Sequence, residues 1–227
     1  MCGRYRLSNA ERMSERFQIE TNDLDLAPRY NIAPQQVMPI VVRDGVNHLE
    51  LMQWGLIPAW CKEPKSIAIN ARIEGILNKP AFRNPIRYHR CLIPATGFYE
   101  WRQEAAGKTP YHIHRRDGDL FGFAGIFDIW TDRTGKETKT FAIITTAPNE
   151  FLAQIHNRMP LILRSEQENL WLTTEPGKID SLLQSLQPLP AEELEMYPVS
   201  RMVNRVGNDS PQLVEKLESD GAETLFR

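Results

Sequence analysis

The chain has 227 residues, of which 41% are hydrophobic and 25% charged. This composition supports a globular core and excludes disordered, collagen-like and coiled-coil chains. No apolar run approaches the roughly 18 residues of a membrane-spanning helix, and the first ten residues, MCGRYRLSNA, lack the apolar stretch of a signal peptide. We therefore expect a cytoplasmic protein that has no membrane partner. The cysteines, at positions 2, 61 and 91, are too widely spaced for a disulfide framework or a zinc site.

The net charge of −2 hides an uneven distribution. Residues 1–116 hold 17 Lys/Arg against 11 Asp/Glu, a balance of +6, whereas residues 117–227 hold 10 against 18, a balance of −8. A basic segment in an acidic chain is typical of a nucleic-acid-binding surface. On charge alone, a solvated face whose charges pair with the acidic half is the favoured interpretation.

In the first half of the chain, Ser8 and Glu11 have the spacing of a capping box and predict a helix over about 9–18. Residues 20–35 have the polar, Pro-containing composition of a loop. Runs rich in Val, Ile, Phe, Tyr and Trp predict strands over 3–7, 37–43, 48–54, 91–95, 97–102 and 110–115.

The second half continues with predicted strands over 120–129 and 139–146. Pro148 predicts a helix through about residue 155, and Ser165 with Glu168 predicts another by the capping-box spacing. Residues 174–192 have loop-like composition. Further predictions are helices over 178–186 and 211–219 and a strand over 195–200.

Helices fall between groups of strands and do not follow each strand in turn. This order favours an α+β fold of mixed, mostly antiparallel sheets over a parallel βαβ arrangement. No repeat, linker or low-complexity tract divides residues 1–227, so we expect a single domain. The phosphate-binding signatures GxGxxG and GxxxxGK[ST] are absent.

Cys2 carries the most distinctive potential chemistry. If the initiator methionine is removed, a free α-amine and a thiol stand on adjacent carbons. Such a 1,2-aminothiol condenses with an aldehyde, first as an imine and then as a five-membered thiazolidine. An α-amine with a pKa of about 7.7–8.0 is partly neutral at pH 7 and can attack without burial. The alternative is an ordinary cysteine at a frayed chain end.

Glu100 lies within the aromatic run Gly97-Phe98-Tyr99-Glu100-Trp101. Period-two alternation places Phe98 and Glu100 on one face of a strand and Tyr99 and Trp101 on the other. A partly buried Glu100 would have a raised pKa and could act as an acid or base. A solvent-facing carboxylate on a half-exposed strand is the simpler interpretation.

Other polar residues have two interpretations each. His156 can be a tuned proton donor near a helix end or a helix-terminal residue that bonds backbone carbonyls. Asn70 can orient a nucleophile or sit in a turn. His112 and His114 share a strand face, which we interpret as solvated and not as a metal site. Arginines can hold phosphates and tryptophans can stack on bases, although surface arginines and core tryptophans are commoner.

Several segments together resemble the SOS-response-associated peptidase family. They run in family order over about residues 2–205: Cys2-Gly3-Arg4-Tyr5, Arg29-Tyr30-Asn31-Ile32-Ala33-Pro34, Trp54-Gly55-Leu56-Ile57-Pro58-Ala59-Trp60, Asn70-Ala71-Arg72-Ile73-Glu74, Lys79-Pro80-Ala81-Phe82-Arg83, Arg90-Cys91-Leu92-Ile93-Pro94-Ala95, Gly97-Phe98-Tyr99-Glu100-Trp101, His156-Asn157-Arg158-Met159-Pro160 and Tyr197-Pro198-Val199-Ser200. Each motif is modest alone, but their joint order and spacing are specific.

The resemblance implies a function and a fold. Family members shield abasic sites in single-stranded DNA during the DNA damage response by becoming covalently attached to them. The implied product is a thiazolidine between Cys2 and the ring-opened sugar, with weak lyase activity and autocatalytic removal of the first residue as further activities. The implied fold is an α+β domain with a barrel-like core and a few flanking helices.

The resemblance also implies roles for individual residues. The catalytic residues would be Cys2, Asn70, Glu100 and His156. The DNA-contacting arginines would be Arg4, Arg72 and Arg158, with Arg83 in a segment that varies within the family. Trp54 and Trp101, as rings that can stack on bases, complete the predicted DNA-binding residues. No cofactor or metal is implied. We expect a monomer whose partner is single-stranded DNA containing abasic sites, and which is nucleoid-associated when bound.

Two other functions remain as alternatives. A cysteine peptidase acting on other proteins would use Cys2 as nucleophile and His156 as base. A non-catalytic reader of modified DNA bases would bind duplexes reversibly and would survive the loss of Cys2.

Overall fold

The computed structural model describes residues 2–20, 24, 26–64, 66–105 and 107–217. Within them the chain forms thirteen strands: β1 (Arg4–Leu7), β2 (Arg29–Ile32), β3 (Val37–Asp44), β4 (Val46–Trp54), β5 (Asn70–Arg72), β6 (Arg90–Ala95), β7 (Gly97–Glu104), β8 (Gly107–Arg115), β9 (Phe121–Thr131), β10 (Glu137–Thr146), β11 (Met159–Pro160), β12 (Ile162–Leu163) and β13 (Leu194–Pro198). The α-helices in these residues are α1 (Met13–Arg16), α2 (Pro85–Tyr88), α3 (Ser165–Thr173) and α4 (Ile179–Ser185). None of the described helices is long and apolar enough to cross a membrane.

The larger sheet closes on itself as a barrel. Its strand order is β11-β10-β4-β3-β6-β9-β12, and an additional pairing between β9 and β10 completes the ring. Most pairs are antiparallel, but β10 runs parallel to both β4 and β5. Because β5 and β11 both attach to β10, their loops meet at one end of that strand.

The smaller sheet is antiparallel throughout and has the order β13-β8-β7-β1-β2. Both of its faces are covered. Phe98 on β7 belongs to the main core, whereas the next residue, Tyr99, belongs to a second cluster with Val199, Val203 and Leu213. The predicted alternation along β7 is therefore confirmed, and both faces at this point are buried.

Aromatic rings fill the space between barrel and sheet. Tyr5 of β1 meets Trp54 edge-on at 5.2 Å between ring centroids and meets Phe123 at 6.0 Å, while Trp54 stacks on Phe141. Burying large rings in edge-to-face contact stabilises a core beyond the area removed from water. This packing fixes β1, which begins two residues after Cys2, against the barrel.

The sequence predicted the strands better than the helices. All nine predicted strands are present, and the α+β fold class with a barrel-like core is confirmed. The loop predicted over 20–35 contains β2, because Tyr5 pairs with Ile32. Of the predicted helices, 178–186 is confirmed as α4.

The remaining helix predictions are wrong in extent. Residues 9–18 form one short 3₁₀ turn followed by α1, and the Ser8 hydroxyl contacts Thr96 instead of capping a helix. The predicted helix at 148–155 is reduced to the 3₁₀ turn Leu152–Gln154. Of the predicted helix at 211–219, residues 211–217 contain the 3₁₀ turn Pro211–Val214 and no α-helix, and positions 218 and 219 lie outside the described residues.

Helix α3 begins at Ser165, but its cap is not the one predicted. The side chain of Gln167 accepts a hydrogen bond from the Arg164 N–H at 3.1 Å. Glu168 is buried and takes two hydrogen bonds of 2.8 Å from the Arg16 guanidinium. A bidentate pair of this kind satisfies both charges inside the fold, so Glu168 links α3 to α1.

Candidate active site

Cys2 lies at the start of the smaller sheet and exposes none of its surface. Its thiol is 3.7 Å from the carbonyl oxygen of Arg4, which can accept a weak hydrogen bond from it. Burial raises the pKa of the Cys2 thiol far above its usual value, and the negative charge of Glu100 raises it further. The sulfur is therefore a protonated thiol at neutral pH.

Glu100 projects from β7, the strand that pairs with β1. Arg4 lies opposite Tyr99 in this antiparallel ladder, so the next position on each strand brings Glu100 beside the start of the chain. The carboxylate is only 5% exposed, and its Oε1 accepts a hydrogen bond of 3.2 Å from the Trp101 N–H. The interpretation of Glu100 as a solvent-facing residue is wrong, because both faces of β7 are covered here.

Asn70 connects the barrel to the chain start. It opens β5, which pairs in parallel with β10 and places Asn70 opposite Ile143. Its Nδ2 donates a hydrogen bond of 2.8 Å to the carbonyl oxygen of Cys2. Its Oδ1 is buried and accepts no hydrogen bond within the described part of the chain. An acceptor left open beside Cys2 can receive an N–H or O–H from a bound reactant.

His156 follows the 3₁₀ turn Leu152–Gln154, and its backbone N–H bonds the Leu152 carbonyl at 2.9 Å. The ring Nδ1 lies 3.0 Å from the Arg158 N–H, which can only donate, and 3.3 Å from the Arg158 carbonyl oxygen, which can only accept. The shorter contact fits the tautomer that carries its proton on Nε2, and the longer contact fits the tautomer that carries it on Nδ1. In the first tautomer His156 can donate a proton from Nε2.

The guanidinium of Arg158 is held near the end of β10 by hydrogen bonds. It donates two hydrogen bonds, of 2.7 and 2.8 Å, to Glu74 and one of 2.6 Å to the Thr145 carbonyl. The hydrogen bond from Arg158 lowers the pKa of Glu74 below its ordinary value, and the charges of Arg158 and Arg72 lower it further. Glu74 thus accepts from the two guanidinium nitrogens of Arg158 that a phosphate would need.

Arg4 is also engaged within the protein. Its Nη1 donates to Asn31 Oδ1 at 2.8 Å and to the Val203 carbonyl at 2.6 Å, and its Nη2 lies 3.3 Å from the Asn204 carbonyl. By contrast, the exposed side chains of Arg72 and Arg83 form no hydrogen bond or ion pair within the described residues.

The tryptophans differ sharply in exposure. Trp101 is partly exposed, and its Nε1 donates to Asn204 Oδ1 at 2.8 Å. Trp54 is fully buried, and its Nε1 donates to the Ile69 carbonyl at 2.9 Å. The prediction that Trp54 stacks on a base is therefore wrong, because neither ring face is open. Trp60, which the family resemblance did not single out for binding, is 65% exposed.

The prediction of a solvated histidine face on β8 is also wrong for His112. This side chain is fully buried, and its Nδ1 lies 3.1 Å from the Tyr197 hydroxyl. A Cβ at Gly97 would lie 2.4 Å from His112 Nε2, so glycine leaves the space that the imidazole occupies. Across the described residues, no three His, Cys, Asp or Glu side chains group as a metal site.

Three of these residues meet, because Asn70 bonds the Cys2 carbonyl and the charge of Glu100 acts on the Cys2 thiol, while His156 lies on the chain that leads into β11, which pairs with β10 as β5 does. Cys2 offers a nucleophile, Glu100 a buried carboxylate, Asn70 an anchoring amide with an open acceptor, and His156 a proton donor. The smaller sheet supplies the first two, and the β10 end of the barrel supplies the others. The arrangement is suited to addition of a nucleophile to a carbonyl carbon with proton transfer on either side.

The sequence and fold match known proteins along nearly the whole chain. The family model described as SOS response associated peptidase (SRAP) matches residues 1–206. The abasic site processing protein YoqW of Bacillus subtilis is 41% identical over 222 residues, which cover 95% of this chain and 99% of that protein. The abasic site processing protein YedK of Escherichia coli is 32% identical over 223 residues, with coverages of 95% and 99%.

Solved structures share the fold. A crystal structure of a protein from Bacteroides thetaiotaomicron has a TM-score of 0.84 at 32% identity and covers 96% of this chain and 100% of that one. A phage-related protein from Bordetella bronchiseptica has a TM-score of 0.71 at 28% identity, with coverages of 88% and 95%.

Proposed function

Because the chain belongs to the SOS response associated peptidase family, we propose that it processes abasic sites in DNA. Its reaction is a covalent attachment of Cys2 to the ring-opened sugar in single-stranded DNA. The observation that carries the proposal is the meeting of Cys2 with Asn70 and Glu100: a 2.8 Å hydrogen bond from Asn70 and a charge effect of Glu100 on the thiol. The adduct shields the lesion during the DNA damage response.

The first step opens the sugar. An abasic site is mostly a closed hemiacetal, and the aldehyde forms when the C1′–O4′ bond breaks. His156 Nε2 donates a proton to O4′, and the C1′ hydroxyl gives up its proton to the Glu100 carboxylate. The Arg158 N–H, 3.0 Å from Nδ1, supports this role, because a ring that accepts this hydrogen bond on Nδ1 carries its proton on Nε2.

The second step forms the imine. Removal of Met1 converts the Cys2 nitrogen from an amide into a primary amine with a pKa of about 7.7–8.0. The amine attacks C1′, the C–N bond forms and one water leaves. Asn70 fixes the Cys2 carbonyl during this step, and its open Oδ1 can accept a hydrogen bond from the amine.

The third step closes the ring. The protonated Cys2 thiol adds to the imine carbon, so that an S–C bond forms and the thiol proton passes through Glu100 to the nitrogen. Capture of the imine competes with β-elimination, in which the C2′ proton is removed and the 3′-phosphate leaves. The lyase activity is therefore a minor branch of the same path. Autocatalytic loss of Met1, by addition of water across the Met1–Cys2 amide, is a further reaction assigned to this site.

DNA is held around the site by cations and by one aromatic ring. The exposed side chains of Arg72 and Arg83 form no hydrogen bond or ion pair in the described residues and can bind phosphates directly. Arg158 releases Glu74 and binds a phosphate in its place. Trp101 stacks on a base with its exposed surface. Arg4 acts through its hydrogen bonds inside the protein, which position β1, the strand that follows Cys2. The protein acts as a monomer at the nucleoid.

A cysteine peptidase acting on other proteins is the weaker candidate. Such an enzyme needs a thiolate, which electropositive surroundings stabilise by lowering the thiol pKa. Burial and Glu100 do the opposite to Cys2. The thiazolidine route avoids this difficulty, because the amine and not the sulfur makes the first attack.

The experiment compares covalent adducts on denaturing gels. The wild-type protein is incubated with abasic or undamaged single strands, and samples are heated or first trapped with borohydride. We expect a heat-stable adduct with abasic DNA only. Cys2→Ala should give a borohydride-trapped imine and strand nicking but no heat-stable adduct. Cys61→Ser is the matched control, because Cys61 is more accessible than Cys2 and has no amine beside it.

The alternatives predict different results. A peptidase would cleave a peptide panel and leave abasic DNA unmodified. A reader of modified bases would bind duplexes equally well with Cys2→Ala. A heat-stable adduct formed by the Cys2→Ala variant without borohydride would contradict the proposed chemistry.

A further inference from the structure

Residues 200–209, which follow β13, cross the outer side of the smaller sheet; we call them the C-terminal strap. The strap contains the 3₁₀ turn Arg201–Asn204. Val203, in this turn, is fully buried against Tyr99 in the second apolar cluster.

Polar contacts fix the strap to β2. The side chain of Asn31 is fully buried, and its Nδ2 lies within hydrogen-bond distance of three strap carbonyls, those of Val203, Arg205 and Asn208, at 3.2, 3.1 and 2.8 Å. The Asp209 carboxylate accepts hydrogen bonds from the backbone of Tyr30 at 2.5 Å and of Asn31 at 3.1 Å, and from Arg29 Nε at 2.5 Å. The strap backbone is therefore held in place along its length.

The strap also touches both strands that carry the proposed chemistry. Asn204 Oδ1 accepts from Trp101 Nε1 on β7, next to Glu100. The Val203 and Asn204 carbonyls accept from Arg4 on β1, two residues after Cys2. A ligand that reaches Cys2 across Trp101 thus meets the strap.

The outer surface of the strap carries cations without partners. Arg201 and Arg205 are exposed, and neither forms a side-chain hydrogen bond or ion pair in the part of the chain that the structure describes. Arg201 lies close enough to Glu104 to lower the pKa of that carboxyl. Glu104 is already bonded to Arg102 at 2.7 Å and to Thr109 at 2.8 Å.

The local sequence is unusual for its half of the chain. Residues 199–208, VSRMVNRVGN, contain no acid, although residues 117–227 have a balance of −8. Met202 and Val206 are exposed beside the two arginines. Guanidinium groups on an anchored backbone, with adjacent apolar side chains, match the phosphates and bases of a single strand.

We propose that the strap is a second DNA-binding element, in which Arg201 and Arg205 bind phosphates of the strand that passes over Trp101. The inference rests on the proposed function for the identity of its partner. The anchors at Asn31 and Asp209 hold the backbone that carries the two cations in place before DNA arrives, which reduces the entropy lost on binding.

The first test measures binding without chemistry. Fluorescence anisotropy with an undamaged single-stranded oligonucleotide gives the affinity over a range of salt concentrations. The double variant Arg201→Ala/Arg205→Ala should bind about ten-fold more weakly. Its salt slope should be shallower by about 1.4, since each lost single-strand phosphate contact removes about 0.7. Arg43→Ala is the matched control, because Arg43 is an exposed arginine on β3 in the other sheet.

The second test follows single-turnover crosslinking of abasic DNA. The double variant should keep the wild-type rate at saturating DNA and need more DNA for half-saturation. Wild-type affinity and salt slope in the double variant would overturn the strap proposal, as would an effect of Arg43→Ala of equal size. If the wild type binds single strands but forms no adduct, the proposed covalent chemistry is wrong. The anisotropy measurement still tests whether the strap binds DNA.

Discussion

The amide of Asn70 donates to the carbonyl oxygen of Cys2 across 2.8 Å, and thereby ties a barrel strand to the start of the smaller sheet. Replacing Asn70 with Ala removes this donor and leaves the Cys2 backbone free to move. We expect the crosslinking rate to fall by about 100-fold, because misplacement of a reacting group by about 1 Å has effects of this size. Single-turnover kinetics at saturating abasic DNA measure the loss.

Asn70→Asp tests the direction of that hydrogen bond. Its carboxylate has nearly the same size but cannot donate to the Cys2 carbonyl. We expect it to be as slow as the Ala variant while its thermal unfolding stays close to wild type. A rapid Asp variant would show that Asn70 only fills space.

Glu100→Gln separates the charge of this residue from its shape. The Gln carbonyl can still accept from the Trp101 N–H, as Oε1 of Glu100 does at 3.2 Å. Loss of proton transfer should slow crosslinking by about 100- to 10,000-fold, the usual range for a general acid or base. A wild-type rate in Glu100→Gln would exclude proton transfer by this carboxylate.

The strands were predictable from sequence because alternation leaves a clear period of two. The run at 97–102 predicted β7 and its two faces, which Phe98 and Tyr99 confirm. Local patterns said little about what covers a strand. Glu100 and His112 were both expected in solvent, yet they are buried by elements distant in sequence.

The strap was not predictable for the same reason. Asn31 binds carbonyls more than 170 residues away along the chain, and carbonyls have no sequence signature. For Trp54, the sequence predicted a binding role that the structure does not support. A tryptophan within a family motif suggested base stacking, but the ring packs against Tyr5 and Phe141 in the core.

Asp209 should hold the C-terminal strap against β2. Asp209→Ala removes the acceptor for two backbone N–H groups and for Arg29. We expect a loss of about 2 kcal/mol in the free energy of unfolding, since hydrogen bonds to charged groups contribute about 1.5–3 kcal/mol. Urea unfolding measures the loss, and limited proteolysis should show faster cleavage within residues 200–209. An unchanged cleavage pattern would show that Asp209 does not hold the strap in place.

His112 should make the fold sensitive to mild acid. Burial lowers its pKa well below the usual 6.5, and the charges of Arg6 and His114 lower it further. Tyr99 and Tyr197 are the other titratable groups packed on the ring. The folded state keeps His112 neutral while the unfolded chain protonates near pH 6.5. Stability is therefore full above pH 6.5 and falls as the pH drops below it, by up to about 1.4 kcal/mol per pH unit.

The measurement is the urea midpoint of unfolding between pH 7.5 and 5.5. His112→Gln cannot titrate, so its midpoint should fall less steeply than that of the wild type. Equal slopes for the two proteins would rule out His112 as the source of the acid sensitivity.

The most direct test of the account is the intact mass of the protein after incubation with abasic single-stranded DNA. We predict one new species, whose mass equals the chain without Met1 plus the oligonucleotide minus one water, with the linkage mapped to Cys2. An adduct that retains Met1, or a linkage at any other residue, would contradict the aminothiol mechanism.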